Sequence, residues 1–268
     1  MLAAERQQII LSLLEDRGTV RTVDLAQEFG VTDETIRRDL QSLTETHAFK
    51  RIHGGASSLT GRPRLQSFNE RQILNVDCKN AIANKARSLI EPGKTYAFDS
   101  STTAFALVST LPDLPYRIVT NSFAVLESVT HLQEVEIISV GGRYHPKTHT
   151  FVGGETLDVL RRHNIHTAFV SCVGFDPIRG ASEGFEQQAT FKTRLVQFAE
   201  NVVLLVDSSK LNERSEYFFA DPTEITEIIT DSAADPKLVK KIRKLGIKLT
   251  LADDAPQVPS TTVAAANV

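Results

Sequence analysis

The sequence predicts an α/β protein in two parts. A small helical module with a β-hairpin comes first, then a mostly parallel sheet covered by helices on both faces. Three observations predict this. Residues 19–55 hold two short apolar-striped helices around Gly30, followed by a basic alternating segment. Short apolar runs alternate with helical patterns from residue 95 to 252. Alternation of this kind is the mark of a parallel sheet with crossover helices. Between the two parts lies ASSLTGRPRLQSF, rich in Ser, Gly and Pro and without periodicity, as linkers are.

Arg6, Ile9, Ile10, Leu13 and Leu14 predict an amphipathic first helix that ends before Gly18. Val20, Val23, Leu25, Ala26 and Phe29 predict the apolar stripe of a second, short helix. Gly30 supplies a tight turn, because glycine adopts positive φ without a Cβ clash. Thr32 offers an N-cap hydroxyl to a third helix, and Asp33 and Glu34 suit the positive end of its dipole. Ile36, Leu40 and Leu43 hold this helix to the core at helical spacing. The same spacing turns Thr35, Arg37, Arg38 and Gln41 away, toward bases and phosphates. Phe49-Lys50-Arg51-Ile52-His53-Gly54-Gly55 then alternates apolar and basic residues into a glycine turn.

Short helix, turn, polar-faced helix and cationic hairpin together predict a winged helix-turn-helix that reads DNA. In this reading Thr32, Asp33, Glu34, Thr35, Arg37 and Arg38 form the recognition segment, and Lys50, Arg51 and His53 clamp the phosphate backbone. The competing reading is a three-helix bundle whose Arg37 and Arg38 only solvate a face. One such module covers a half-site, so a homodimer or homotetramer is expected. The DNA module is placed at 1–56, the linker at 57–68, a ligand-binding domain at 69–252 and a disordered tail at 253–268.

Charge distribution agrees with this division. The 268-residue chain carries a net charge of −3, yet residues 36–71 hold seven Arg and Lys against three Asp and Glu. An acidic body with one basic end suits a protein that meets DNA at that end only. The two cysteines, Cys78 and Cys172, lie in dissimilar contexts and predict no disulfide. The start of the chain lacks a leader pattern and no run is long and apolar enough to span a bilayer, which predicts a cytoplasmic protein with no membrane partner. His145 and His149 flank Pro146 in a loop-like stretch without a third ligand, which argues against a metal site.

Residues 69–90 predict a helix stopped by Pro92-Gly93. Strands follow at TYAFD, YRIVT, VEIISVGG, HTAFVSCVGF, NVVLLVD, EITEIITD and KLTLA, with helices between most of them. In open parallel sheets, ligands bind beyond the carboxyl ends of strands. The residues at those ends are Asp99-Ser100-Ser101-Thr102-Thr103, Thr120-Asn121-Ser122, Gly141-Gly142-Arg143, Gly174 and Asp207-Ser208-Ser209-Lys210. Hydroxyls and glycines allow close approach, while Arg143 and Lys210 would attract an anion. Ordinary helix caps use the same residue types, so no single turn decides between capping and ligand binding. Neither a phosphate-binding P-loop nor GxGxxG occurs, so no nucleotide cofactor is expected.

The chain resembles DeoR-type bacterial regulators of sugar metabolism over residues 1 to about 252. The resemblance rests on Val31-Thr32-Asp33-Glu34-Thr35-Ile36-Arg37-Arg38-Asp39-Leu40 and Arg51-Ile52-His53-Gly54-Gly55-Ala56. It continues through the strand-end residues above, Phe151-Val152-Gly153, and Glu186 with Lys192. It implies a C-terminal domain related in fold to ribose-5-phosphate isomerases and coenzyme A transferases. It also implies a pocket for a phosphorylated sugar or similar anionic metabolite, lined by these residues, and a repressor released by that effector. The family usually has glycine at the position of Ser101, and an acid is common at Gln188. The alternative is an enzyme resembling a sugar-phosphate isomerase, with Asp99, Glu186, Lys192 and Lys210 as its reactive groups.

Overall fold

The structure, a computed structural model, describes residues 3–17, 19–44, 49–52, 54–58 and 66–253. They form two compact units that meet in sequence between Gln66 and Ser67. The expected tail from 254 and most of the expected linker, at 59–65, lie outside the described residues.

The first unit contains α1 (Ala3–Arg17), β1 (Thr19–Arg21), α2 (Thr22–Phe29), α3 (Asp33–Thr44), β2 (Phe49–Ile52) and β3 (Gly55–Ser58). Ile10, Leu14, Val20, Leu25, Ala26, Ile36, Leu40, Leu43 and Ala56 form its core. Gly30 closes α2 at φ 63°, donating its N–H back to the helix end. The expected stripe is wrong at two positions. Val20 sits in β1, so α2 starts at Thr22; this turns Thr22 inward and leaves Val23 57% exposed. Ile9 is also largely exposed.

A buried ion pair adds what the apolar pattern does not show. Arg6 Nε on α1 donates to Asp39 Oδ2 on α3 at 2.6 Å, and Gln7 Nε2 donates to Asp39 Oδ1 at 3.1 Å. The antiparallel order is β1-β3-β2. Gly55 lets β3 pass β1, because a Cβ there would lie 2.0 Å from the Val20 carbonyl oxygen.

The second unit runs α4 (Phe68–Gln72), α5 (Val76–Arg87), β4 (Thr95–Phe98), α6 (Thr102–Val108), β5 (Arg117–Thr120), α7 (Phe123–Ser128), β6 (Glu136–Ser139), β7 (Arg143–His145), β8 (Thr150–Val152), α8 (Gly154–Leu160) and β9 (Ile165–Val170). It continues with β10 (Gly174–Asp176), β11 (Gly180–Glu183), α9 (Glu186–Phe198), β12 (Ala199–Leu205), β13 (Tyr217–Ala220), β14 (Glu227–Asp231), α10 (Pro236–Arg243) and β15 (Lys248–Ala252). Seven strands pair in parallel in the order β15-β14-β12-β9-β4-β5-β6.

Alternation along each strand divides the core into two layers. Tyr96, Phe98 and Phe169 join Ile82, Leu107 and Val125 of α5, α6 and α7. Ala97, Ala168 and Val170 join Leu160, Leu195 and Ile242 of α8, α9 and α10. Both faces are therefore covered, as a parallel sheet requires.

Three segments differ from expectation. The helix over 69–90 breaks into α4 and α5, because Asn75 adopts φ 49° and no α-helix continues through it. The strand expected over 166–175 leaves the parallel sheet after Val170, and Gly174–Asp176 joins an antiparallel sheet with β11 and β13. The stretch expected as a loop near His145 forms the β7–β8 hairpin.

Candidate functional site

Two arrays of polar residues stand out, one on each unit. On the first unit, Thr32 Oγ1 accepts the N–H of Thr35 at 3.3 Å, and the two hydroxyls lie 2.9 Å apart. This is the expected cap of α3. Asp33 and Glu34 occupy its first turn and are exposed, as are Arg37 and Arg38, while Thr35 is half-buried. Arg38 pairs with Glu34 at 3.4 Å on the open surface, an i,i+4 contact of small energy. Arg51 of β2 donates to the Arg37 carbonyl at 3.3 Å and to Gln41 Oε1 at 3.5 Å. The hairpin and helix thus present their cations side by side. Lys50 lies on β2 opposite Ser57; His53 lies outside the described residues.

On the second unit, the turns after β4, β5, β9 and β12 converge at the carboxyl edge of the sheet. Asp99 is fully buried. Its Oδ1 accepts the Ser101 N–H at 3.0 Å and the Ser101 hydroxyl. Its Oδ2 accepts the Ser171 N–H at 2.9 Å and faces Lys192 Nζ at 2.9 Å. Lys192, on the buried side of α9, also donates to the Ser171 carbonyl at 2.7 Å and to Glu183 Oε1. Burial disfavours its charge, but the Asp99 and Glu183 carboxylates outweigh that and hold its pKa above the ordinary lysine value. Lys192 therefore stays an ammonium.

Ser101 is anchored within the turn. Its hydroxyl caps α6 by accepting the Ala104 N–H at 3.1 Å while donating to Asp99. Thr120 donates to the Phe98 carbonyl at 2.7 Å and accepts the Ser122 N–H at 3.0 Å; Ser122 caps α7. Asn121 Nδ2 reaches the Phe151 carbonyl at 3.3 Å. Among the described residues, Thr103 Oγ1, Asn121 Oδ1 and Ser171 Oγ are buried without a hydrogen-bond partner.

Asp207 pairs with Lys210 at 3.1 Å. Burial works against its charge, but Lys210 and the Ser209 hydroxyl keep its pKa below the ordinary carboxylate value.

Other expected residues carry structural contacts of their own. Gly141 accepts the Thr156 hydroxyl at 2.9 Å, and Gly142 packs against Thr156 and the Val152 carbonyl. Gly153 precedes α8, and Arg143 is exposed on β7. Ser100 and Thr102 are buried beside Arg71. Gly174 lies inside β10, where a Cβ would meet the Glu213 backbone at 2.6 Å; its role is strand packing. Glu186 is exposed at the start of α9, and Glu183 holds Lys192 instead.

Four residues that sequence reasoning did not place belong here: Glu183, Arg71, Asn75 and Lys79. Asn75 Nδ2 donates to Asp207 Oδ1 at 3.3 Å. Lys79 is 5% exposed and donates to the carbonyls of Arg71 and Leu74. Burial, then the nearby charge of Lys210, lowers its pKa to about 8, with Asp207 opposing. For Arg71, Asn75 and Lys79 the available signal was that residues 71–79 carry four polar side chains, Arg71, Gln72, Asp77 and Lys79, around an αL-tolerant asparagine.

Among the described residues no group of three or more His, Cys, Asp or Glu could hold a metal ion. His145 bonds Thr148, and His149 stacks on Phe68. Among the described residues no helix is long and apolar enough to cross a membrane.

Comparison with known proteins follows the same division. The DeoR-like helix-turn-helix domain matches residues 6–62, and the DeoR C terminal sensor domain matches residues 74–232. The uncharacterized HTH-type transcriptional regulator YulB of Bacillus subtilis is 36% identical over 250 residues, 93% of this chain and 97% of that protein. The L-fucose operon activator of Haemophilus influenzae is 32% identical over 235 residues, 88% of this chain and 94% of that protein. The HTH-type transcriptional repressor GlcR of Bacillus subtilis is 28% identical over 253 residues, 94% of this chain and 98% of that protein. With a winged helix-turn-helix in the first unit and a polar-edged parallel sheet in the second, the chain belongs to the DeoR family of DNA-binding transcriptional regulators.

Proposed function

We propose that this regulator represses an operon for sugar breakdown and leaves its operator when a phosphorylated sugar or related anionic metabolite occupies the carboxyl edge of the seven-stranded sheet. The observation that carries the reading is three polar atoms near the ends of the neighbouring strands β9, β4 and β5 that are buried and unpartnered among the described residues: Thr103 Oγ1, Asn121 Oδ1 and Ser171 Oγ. Leaving such atoms unpaired costs about 1–3 kcal/mol each. A ligand rich in hydroxyls offsets that cost. Asp99, Ser100, Ser101, Thr102, Thr120, Ser122, Gly141, Gly142, Gly153, Lys192, Asp207 and Lys210 frame this edge in the proposed site. Thr32, Asp33, Glu34, Thr35, Arg37 and Arg38 enter the major groove, while Lys50, Arg51 and His53 bind phosphates. Two or four copies act together, because one module covers a half-site. The protein works in the cytoplasm, where operator and metabolite meet.

Isomerase chemistry fits this edge poorly. A catalytic base must be free to take a proton, whereas Asp99 accepts contacts from Ser101, Ser171 and Lys192, and Lys192 stays charged. The sign of regulation is supported by the relative named a repressor and opposed by the one named an activator. Fluorescence anisotropy on the DNA upstream of the gene, with glucose 6-phosphate, fructose 6-phosphate and fructose 1-phosphate, tests the proposal. Release by one of them is expected. Tighter binding overturns the repressor assignment, and no response to any sugar phosphate overturns the effector class.

A further inference from the structure

We infer that Arg71, on the short helix that follows the segment joining the two units, takes the oxyanion of the ligand. This inference rests on reading the sheet edge as the effector site. Three observations lead to it. Arg71 is buried enough that desolvation lowers its pKa despite the opposing charges of Glu183 and Asp99. Among the described residues it forms no ion pair within 4.0 Å, and the one hydrogen bond of its side chain is a 3.5 Å contact from Nη2 to the Ser100 carbonyl. A guanidinium carries five donors in a planar fork that matches a carboxylate or phosphate. A half-buried Arg whose side chain has one long carbonyl contact is therefore an unfilled oxyanion receptor.

The surroundings fix where it sits. Its guanidinium lies 5.8 Å from the Phe68 ring centroid, and Phe68 is held edge-on by Phe105 and face-on by His149. Its backbone is clamped: the Arg71 carbonyl accepts both Lys79 Nζ and the Thr102 hydroxyl. Asn75, at the elbow between α4 and α5, is tied to Asp207. The elbow thus touches the turns after β4 and β12 together.

Lys192 and Lys210, by contrast, already have carboxylate partners. A ligand oxyanion meets least competition at Arg71. Since α4 opens at Phe68, two residues beyond Gln66, the residue that closes on the ligand is also close in sequence to the DNA-binding unit. Drawing the fork toward an oxyanion and away from Ser100 loads α4 directly.

Arginine Nε–Hε and backbone amide NMR signals of the full chain labelled uniformly with 15N, titrated with inorganic phosphate and in parallel with gluconate, test this. Arg71→Lys identifies the Arg71 signal by its loss, and an unchanged melting temperature of that variant shows that the fold is intact. A saturable shift of the Arg71 signal with either anion is expected. A shift with phosphate alone assigns a phosphoryl group, and one with gluconate alone assigns a carboxylate. If the backbone amides of 100–103 respond while Arg71 does not, the inference fails and the sheet-edge site stands. If neither responds to either anion, both fail.

Discussion

Lys192 Nζ lies 2.9 Å from Asp99 Oδ2 at a point where both side chains are almost wholly buried. The pair joins α9 to the end of β4 across the carboxyl edge of the sheet, and Glu183 at the end of β11 completes it. A buried cation between two carboxylates is stable only while all three remain.

Replacing Lys192 by Met leaves two buried carboxylates without their cation. The expected loss is about 3–5 kcal/mol of stability, read by urea unfolding. The pH dependence has a definite sign. The folded pKa of Lys192 lies above its ordinary value, so its contribution is fully present below about pH 10 and fades only as pH rises through the folded value. The gap between wild type and K192M should therefore change little between pH 6 and 9 on account of this lysine.

Lys79 behaves in the opposite way. Its folded pKa is about 8, against 10.5 for an ordinary lysine. Between these values the unfolded chain binds more protons, so stability rises with pH across that window. The rise amounts to roughly 1–3 kcal/mol for a shift of this size. Urea unfolding at pH 7.5, 9 and 10 should show it in wild type and not in Lys79→Met.

The two buried lysines show where sequence reading stops. The sequence places Lys192 at the site but not its second partner, because Glu183 ends a strand of a small antiparallel sheet that the βα alternation does not announce. Lys79 falls inside the helix that the sequence predicts over 69–90, since the apolar spacing of Ile73, Val76 and Ile82 continues through the elbow; only the backbone of Asn75 breaks it. The parallel sheet and the polar turns along its edge were legible, because alternation of strand and helix fixes which end of every strand the turn occupies. The recognition helix was legible for a local reason: Ile36, Leu40 and Leu43 are all buried at helical spacing. Arg6 and Asp39 are 33 residues apart, and no period links them.

Asp39→Ala should unfold the DNA-binding unit while sparing the other. The substitution strands Arg6 in the interior at a cost of about 3–5 kcal/mol. Circular dichroism melting should show an early transition in D39A, followed by that of the second unit near its wild-type temperature.

Ser101 differs from the usual family glycine yet caps its helix. Ser101→Ala should cost about 0.5–2 kcal/mol and Ser101→Gly only a few tenths. Because the hydroxyl is bonded to Asp99 and the Ala104 N–H, S101G should leave the effector preference unchanged in a sugar-phosphate titration.

In the proposed function, an exposed, cation-bearing α3 reads DNA under the control of the sheet edge in the second unit. Anisotropy of the labelled upstream DNA with wild type, Arg37→Ala and Asp99→Asn, each with and without the releasing sugar phosphate, tests it most directly. R37A should weaken binding by about 1–3 kcal/mol, and D99N, once shown to be folded, should bind like wild type but no longer let go. Release of D99N at wild-type effector concentrations would contradict it, as would undiminished DNA binding by R37A.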